Sequence, residues 1–556
     1  MTRKKLPKGW RWARLGAREI ATVIMGQSPP GSTYNGEGRG LPFYQGKADF
    51  GDVSPTPRVW CSAPRKTAEV GDILLSVRAP VGPTNLASEQ CCIGRGLAAI
   101  RGERNALTLY LYFWFKHVEP WLSGQGEGST FTAIGKERIE SLSVPLPPLP
   151  VQERIVQILQ KADQIRRKRK EALELADKIL PALFLEMFGD PATNPKGWPT
   201  APIGALVHFD TFQIRPEPGK TYLYLAPEHI ESHTGNYSGP HPTDGRELGS
   251  AKHPFTSEHV LYCKLRPYLN KVALPHTDGI CSTELVPLRP GPKLLREFLA
   301  IYLRLPFFVA TAVHKSQGTK MPRFGPELMK QEMMIVPPLP LQHSFCQQVN
   351  QLMEASRWLK EGLSLSSSSF DGLLARAFTG ELTAEWEAAN ADWIAERQAL
   401  YERLPRLLLL ALLVEKARRA GRAAAEVLVT ALMKYAFLLQ MEGSASRRRF
   451  YHFVPYHYGP FAKELYTDLE ALQKEGLVRV DHDTEEDKTR IKVIDPAKAE
   501  EALSALPDDL KEDAATIVET YGDLDHSALL EAVYEKYPAY ARKSRLKQNK
   551  RKAPRG

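Results

Sequence analysis

The feature that most constrains this chain is that it repeats itself. Pro7-Lys8-Gly9-Trp10 returns as Pro195-Lys196-Gly197-Trp198, and Leu15-Gly16 as Ile203-Gly204, each 188 positions later. Arg78 answers to Arg266 and Leu97 to Leu285 at the same shift. Gly128 and Gly135 then match Gly318 and Gly325, and Pro147-Pro148-Leu149-Pro150-x-Gln152 matches Pro337-Pro338-Leu339-Pro340-x-Gln342, at a shift of 190. One unit therefore occurs twice between residue 1 and about 385. A chain of 556 residues is too long for one core in any case, so it should build two copies of one architecture and add to them.

Each unit has two parts. The first, residues 1–143 and 191–335, is rich in Gly and Pro with short apolar runs such as Asp72 to Val77 and Tyr222 to Leu225. That pattern predicts short strands joined by turns, a mixed α+β domain. Proline cannot continue a ladder or sit inside a helix, so each Pro-Pro-Leu-Pro ends its domain. A long helix should follow, in segments 144–190 and 336–390. In the first, apolar or small residues recur at Ile155, Ile158, Ala162, Ile165, Ala172, Ala176, Ile179 and Leu183, with only Arg169 off pattern. The second repeats the spacing through Phe345, Val349, Leu352, Ser356, Leu359, Leu363, Ser366, Phe370, Leu373 and Ala377. These are heptad seams, and two in one chain predict an antiparallel pair with a domain at each end. A seam of 29 residues rises about 43 Å, or roughly 12 to 13 base pairs of duplex DNA. Such a caliper would read two unlike half-sites.

The net charge of +10, with a pI near 9.1, fits a polyanionic partner. Side chains able to reach base edges or phosphates in the first domain are Gln27, Ser28, Tyr34, Gln45, Lys47, Arg78 and Arg95. In the second they are Lys264, Arg266, Asn270, Lys271 and Lys320. Arg78 and Arg266 stand out because they fall at equivalent repeat positions. The run Arg166 to Lys170 lies on the first helix and could face phosphates.

Catalytic signatures are missing from the sequence. Neither Asn-Pro-Pro-aromatic nor Asp-Pro-Pro-aromatic occurs, and no Gly-x-x-x-x-Gly-Lys-Ser/Thr loop is present. The glycine triplets at 36–40 and 124–128 lack a strand-to-helix setting and read as loops. The six cysteines form no C-x-x-C pair, so buried, reduced thiols are expected. His452, His457 and His526 have no Cys or carboxylate completing a metal set, so neither metal nor cofactor is expected. The start has no apolar stretch, and the longest apolar run, Leu407 to Val414, is too short to span a bilayer, which predicts a cytoplasmic protein with no membrane partner.

Residues 391–540 stand outside the repeat. A helical stretch including Leu432 to Gln440 leads to an aromatic segment, Phe450 to Phe461, a helix to Lys474 and a hairpin around Leu477 to Val493. Helices followed by a two-stranded wing predict a winged-helix-like module, and its Tyr-Gly-Pro segment resembles phage-associated and antitoxin-like domains. Residues 541–556 form a basic tail.

The repeat residues also match a known family in order and spacing. Gly26-Gln-Ser-Pro-Pro-Gly31, Gly71-Asp-Ile-Leu-Leu-Ser-Val-Arg78, Ile93-Gly-Arg-Gly96, Pro147-Pro-Leu-Pro-Val-Gln-Glu-Arg154, Leu183-Phe-Leu-Glu-Met-Phe-Gly-Asp190 and Ala377-Phe-Thr-Gly-Glu-Leu382 resemble the specificity subunits of type I restriction-modification systems. The second proline stop departs from the pattern, reading Gln342-His343 without the usual Glu. The resemblance implies a non-catalytic subunit with two target-recognition domains on double-stranded DNA. It also implies pairing helices that dock two methyltransferase subunits, and restriction/translocase subunits as further partners. A single-chain modification or cleavage enzyme with a divergent site, or a helical scaffold for proteins, are the alternatives.

Overall fold

The computed structural model describes residues 5–124, 133–318, 320–422, 425–443, 449–484 and 488–541. Gly126, Gly128 and the basic tail beyond 541 lie outside the described residues. The fold is mixed α/β. The chain divides into two compact units, Met1–Asp163 with Ser368–Gly556, and Gln164–Ser367.

In the first domain a four-stranded antiparallel sheet runs in the order Ala21–Met25, Leu97–Gly102, Ile73–Ser76, Thr84–Leu86. Its two central strands are buried on both faces, which is why they read as continuous apolar runs. Alternation sorts them. Ile73, Leu75, Ala98 and Ile100 face the helix Thr108–Ser123 and its core, whereas Leu74, Leu97 and Ala99 face a second sheet through Tyr44, Ala68 and Cys91. That second sheet holds Leu41–Tyr44 parallel to Cys91–Ile93. Arg11–Arg14 pairs with Ser143–Leu146, joining the start of the domain to its end. The expected limit at 143 therefore cuts a strand, and the domain closes at Leu146.

The second domain repeats this plan. Val207–Phe209, Leu285–Pro290, Val260–Cys263 and Val272–Ala273 form the central sheet. Thr221–Leu225 runs parallel to Gly279–Ser282 in the other. Thr200–Pro202 with Met333–Ile335 is the closing pair.

Each long helix lies inside its expected segment but begins within the proline stop, ahead of the seam, at Leu149–Phe188 and Leu339–Thr379, because proline is tolerated in a first turn where no helical N–H is needed. The first even carries Pro181 inside it. Within the second unit the helices run antiparallel. Phe345 packs on Phe184 and Phe188, with centroids 5.6 and 5.1 Å apart, and Arg169 Nη1 donates to the Gly362 carbonyl at 2.6 Å. The off-pattern arginine thus belongs to the helix pair rather than reaching outward.

The buried stripe of the first helix is displaced from the expected seam. Ile165 and Ile179 are each 45% exposed, while Leu159 and Phe184, one residue beyond the expected positions Ile158 and Leu183, are fully buried. The helix ends decide this rotation, since Ile155 and Leu159 lie in the first domain's core and Phe184 and Phe188 in the second's. At those ends, glycines in the left-handed region finish the helices. A Cβ on Gly189 (φ +76°) would stand 2.7 Å from Pro195, and one on Gly380 (φ +83°) would collide with Pro7. The Pro-Lys-Gly-Trp repeat is therefore a seat for a helix end. Trp198 Nε1 donates to the Phe188 carbonyl at 2.9 Å, and Trp10 Nε1 to Glu387 at 3.0 Å.

Past Gly380 the chain enters a helical module built on Ala391–Arg419. Its order is strand Val427–Leu428, helix Val429–Glu442, hairpin Val454–Tyr456 with Gly459–Phe461, helix Glu464–Lys474, and hairpin Val478–Asp483 with Lys488–Val493. The first strand pairs with the last, making a three-stranded sheet. This module packs on the first domain. Arg104 donates to the Glu402 carbonyl at 3.0 Å, Arg18 pairs with Glu464 at 2.9 Å, and Arg449 pairs with Glu69. All six cysteines are buried and unpaired, and burial pushes the Cys91 thiol up to about 12. Among the described residues no single helix is long and apolar enough to cross a membrane.

Candidate nucleic-acid interface

At one end of the first domain's central sheet, four chain segments converge. Gly26 N donates to Leu97 O at 2.9 Å, Gln27 N to Ile93 O at 3.0 Å, Gly94 N to Tyr44 O at 2.8 Å and Val77 N to Gly96 O at 2.9 Å. The segments come so close that a Cβ on Gly26 would collide with Gly94 O, and one on Gly96 with Gln45 O. Glycines here let backbones meet and leave the intervening side chains pointing outward. Gln27, Gln45, Lys47, Arg78 and Arg95 are all exposed at this end. Ser28 instead fixes the turn, its Oγ accepting from Arg95 N at 3.2 Å. Asp49 accepts from Gln45 N at 2.7 Å and pairs with Arg58 at 2.7 Å, holding the turn that carries Lys47.

Tyr34 departs from its expected role. Its hydroxyl donates to Pro29 O at 2.8 Å and its ring stacks on Phe43 with centroids 4.7 Å apart, so it supports the Pro29-Pro30 loop from beneath. Burial, followed by the nearby cysteines, raises its pKa.

The second domain brings fewer of its expected residues outward. Lys271 Nζ donates to Pro227 O at 2.7 Å and Asn270 Nδ2 to Arg304 O at 3.1 Å, so each uses one donor within the domain. Arg266 and Lys320 are exposed and Lys264 is half-buried. Arg266 and Asn270 adopt φ of +50° and +49°, unusual for residues with a Cβ. The strain is held by Arg266 N donating to Pro322 O at 2.7 Å and His233 N to Leu269 O at 3.1 Å.

Register corrects the equivalence of Arg78 and Arg266. Leu97 pairs with Ser76, and its counterpart Leu285 pairs with Cys263. Ser76 therefore corresponds to Cys263, Val77 to Lys264, and Arg78 to Leu265. Two further observations agree. Val77 N donates to Gly96 O as Lys264 N does to Glu284 O, and Arg78 bridges Ala133 as Leu265 bridges Arg323. Arg266 is one residue beyond. A one-residue difference in the loop before this strand is invisible when arginine happens to occupy both positions.

Arg323 and Glu284, missed in the sequence, form the main charged pair at this end of the second domain. Arg323 Nη2 donates to Glu284 Oε1 at 2.8 Å, and Nε lies 3.2 and 3.1 Å from the two carboxylate oxygens. The signal that could have found it is its place two residues before Gly325, inside a segment already aligned with Gly135.

The glutamine of each proline stop has a structural role common to both domains. Gln152 accepts from Leu107 N at 2.9 Å and donates to Asn105 O and Pro147 O at 2.9 and 3.0 Å. Gln342 accepts from Leu295 N at 2.9 Å and donates to Lys293 O and Pro337 O at 3.0 and 2.8 Å. Both are fully buried, and each ties the start of a long helix to the loop entering the domain's own helix.

His452 Nδ1 lies 3.4 Å from Thr22 Oγ1 and 3.5 Å from Glu103, at the junction of the first domain and the C-terminal module. Among the described residues no three His, Cys, Asp or Glu side chains are grouped to hold a metal ion.

Residues 7–175 match the type I restriction modification DNA specificity domain. A putative type I restriction enzyme MjaX specificity subunit of Methanocaldococcus jannaschii is 42% identical over 185 residues, 33% of this chain and 44% of that protein. The chain thus spans less than half the length of that relative. The EcoDI specificity subunit of Escherichia coli is 28% identical over 326 residues, covering 52% of this chain and 73% of that protein. A crystal structure of an HsdS subunit from Thermoanaerobacter tengcongensis is 55% identical over 28% of this chain and 38% of that one, with a TM-score of 0.26. Residues 7–175 are thus similar to the DNA specificity domain of type I restriction-modification systems, and the chain is similar to their specificity subunits.

Proposed function

We propose that this chain is the DNA sequence-recognition subunit of a type I restriction-modification complex, binding double-stranded DNA at a bipartite, asymmetric site. It has no catalytic role of its own and docks methyltransferase and restriction/translocase subunits. The observation that carries this reading is that the central four-stranded sheet and the glutamine clamp of the domain at 7–175 recur around Gln342. Domains of one plan but different surface chemistry suit two unlike half-sites. Gln27, Gln45, Lys47, Arg78 and Arg95 contact the first, and Lys264, Arg266 and Lys320 the second, with Ser28 positioning the first loop.

The two long helices act as an antiparallel coiled-coil spacer. Ile165, Leu175, Ile179, Met353, Trp358 and Leu365 are 44–69% exposed along them, and such apolar side chains suit docking of the partner subunits. The order helix, strand, helix, hairpin, helix, hairpin in the C-terminal module supports a winged-helix-like reading. The helix before its hairpin, Glu464–Lys474, directs Glu464 and Asp468 toward Arg18 and Arg104 of the first domain. An acidic helix engaged in this way is suited to protein contact rather than to phosphates.

Methylation sequencing of host DNA, with and without this chain alongside its methyltransferase, tests the reading. A two-part asymmetric motif with a nonspecific spacer is expected. A single continuous palindrome overturns it.

A further inference from the structure

The two domains differ at three matched positions of the reading end. Where the first has Arg78, Ala133 and Gly96, the second has Leu265, Arg323 and Glu284. The guanidinium has moved to the other member of the bridge, and a carboxylate stands where the first domain has only a glycine. From this exchange we propose that Arg323, held by Glu284, reads a guanine in the second half-site and is the counterpart of Arg78. The inference rests on the reading above that this end of the second domain meets DNA.

The donor count supports it. Arginine has five N–H groups. Glu284 takes the Nε edge and one N–H of Nη2, and the Met321 carbonyl takes one N–H of Nη1 at 3.2 Å. Among the described residues this leaves one N–H on each terminal nitrogen. Two parallel donors on a planar fork are what guanine O6 and N7 accept in the major groove. The side chain is 41% exposed, so the fork is open to a ligand.

The stem is fixed as well. Arg323 N donates to Gln317 O at 2.9 Å and Gln317 N to Arg323 O at 3.0 Å. A half-exposed ion pair adds little to stability, so three bonds on one guanidinium are better accounted for as orientation before binding. Lysine could keep the charge at this place but could not present the fork. Glu284 has a second consequence. A bare carboxylate would repel phosphates, and Arg323 neutralises it.

The test is competition binding by the full chain assembled with its methyltransferase subunits. The probes are duplexes carrying the methylome-defined site, with each base pair of the second half-site replaced in turn. Arg323→Ala should lower discrimination about 10- to 100-fold at one G·C pair and leave the other positions unchanged. Arg323→Lys should lose the same discrimination while retaining most overall affinity, and Glu284→Gln should lose part of it. Loss that is equal at every sequence would assign Arg323 to a phosphate and overturn the proposal. So would a second half-site without a G·C pair, or full discrimination by Arg323→Lys. Failure of the unmodified complex to discriminate any sequence would instead overturn the functional reading itself.

Discussion

The first and second domains build the same sheet but handle charge inside it differently. Arg101 and Arg289 occupy matched positions on the central strand, and Asp72 is matched by His259. In the first domain Arg101 donates to Asp72 through Nε and Nη2, both at 2.6 Å, and Asp72 is 1% exposed. Glu69 lies 3.2 Å from the same guanidinium and is itself paired with Arg449 of the C-terminal module. In the second domain Arg289 instead reaches Asp210 at 2.8 Å, with His259 2.9 Å from the same carboxylate, and the arginine is 43% exposed. The difference teaches what the C-terminal module does for the fold. It covers the end of the sheet opposite Arg95, and the charges it covers are matched in two-point contacts. Where no such cover exists, the equivalent charges remain partly in water.

This contrast makes the largest expected effect a local one. Burial opposes ionisation of both Asp72 and Arg101. Yet Asp72 outweighs burial at Arg101 and raises its pKa, and the two-point geometry makes the pair ionic. Removing one partner of such a pair leaves a buried charge uncompensated. Asp72→Asn should therefore destabilise the first domain by about 3–5 kcal/mol, Glu69 limiting the loss. Hydrogen exchange in strands Ile73–Ser76 and Leu97–Gly102 should accelerate, while Val260–Cys263 of the second domain stays protected. Equal acceleration in both domains would break the comparison.

An intermediate effect should be shared rather than contrasted. Gln152→Ala and Gln342→Ala each leave one buried amide N–H and two carbonyls without their partner, a cost of about 1–3 kcal/mol each. Faster exchange of the Leu107 and Leu295 amides, to a similar degree, checks that the two clamps are the same device. A large difference between them would mean that one proline stop has been taken over by a neighbouring contact.

Much of this organisation was legible in the sequence because the repeated words are the structural anchors. Pro7 and Pro195 seat helix ends, Gln152 and Gln342 clamp loops, the apolar run Asp72 to Val77 contains a strand, and Tyr222 to Leu225 lies within one. What was not legible lies between anchors. Matched pairs differ by 188 at Ala13 and Ala201, by 186 at Val23 and Phe209, by 187 at Ile73 and Val260, and by 188 again at Leu97 and Leu285. Small loop changes that cancel leave the outer words in step and mislead the inner ones, which is how Arg266 was matched to Arg78. The helix seam slipped for another reason. A heptad stripe offers adjacent apolar columns, and only burial of Leu159 and Phe184 at the ends selects one. Tyr34, Asn270 and Lys271 look like readers by residue type, but type does not reveal that a nearby carbonyl takes one donor from each.

The smallest expected effect belongs to Asp210. The hydrogen bond from Arg289 is the main cause holding its carboxyl below the ordinary aspartate range. Burial works against this, and the bond to His259 adds to it. A depressed folded-state value means that the unfolded chain binds a proton more readily. The contribution to stability is therefore present above the unfolded aspartate value of about 3.9 and is lost as pH falls through the folded value. Because the group is partly exposed, the amount should be about 1 kcal/mol or less. Exchange of the Val207–Phe209 and Leu285–Pro290 amides should thus gain an acid-sensitive component below about pH 4 that Asp210→Asn removes. In the first domain burial raises the matched Asp72 carboxyl instead, so no such acid-sensitive loss is expected from it. If Asp210→Asn left the acid response of the second domain unchanged, its exposed charges would have no part in holding the sheet, and the contrast between the domains would rest on Asp72 and Arg101 alone.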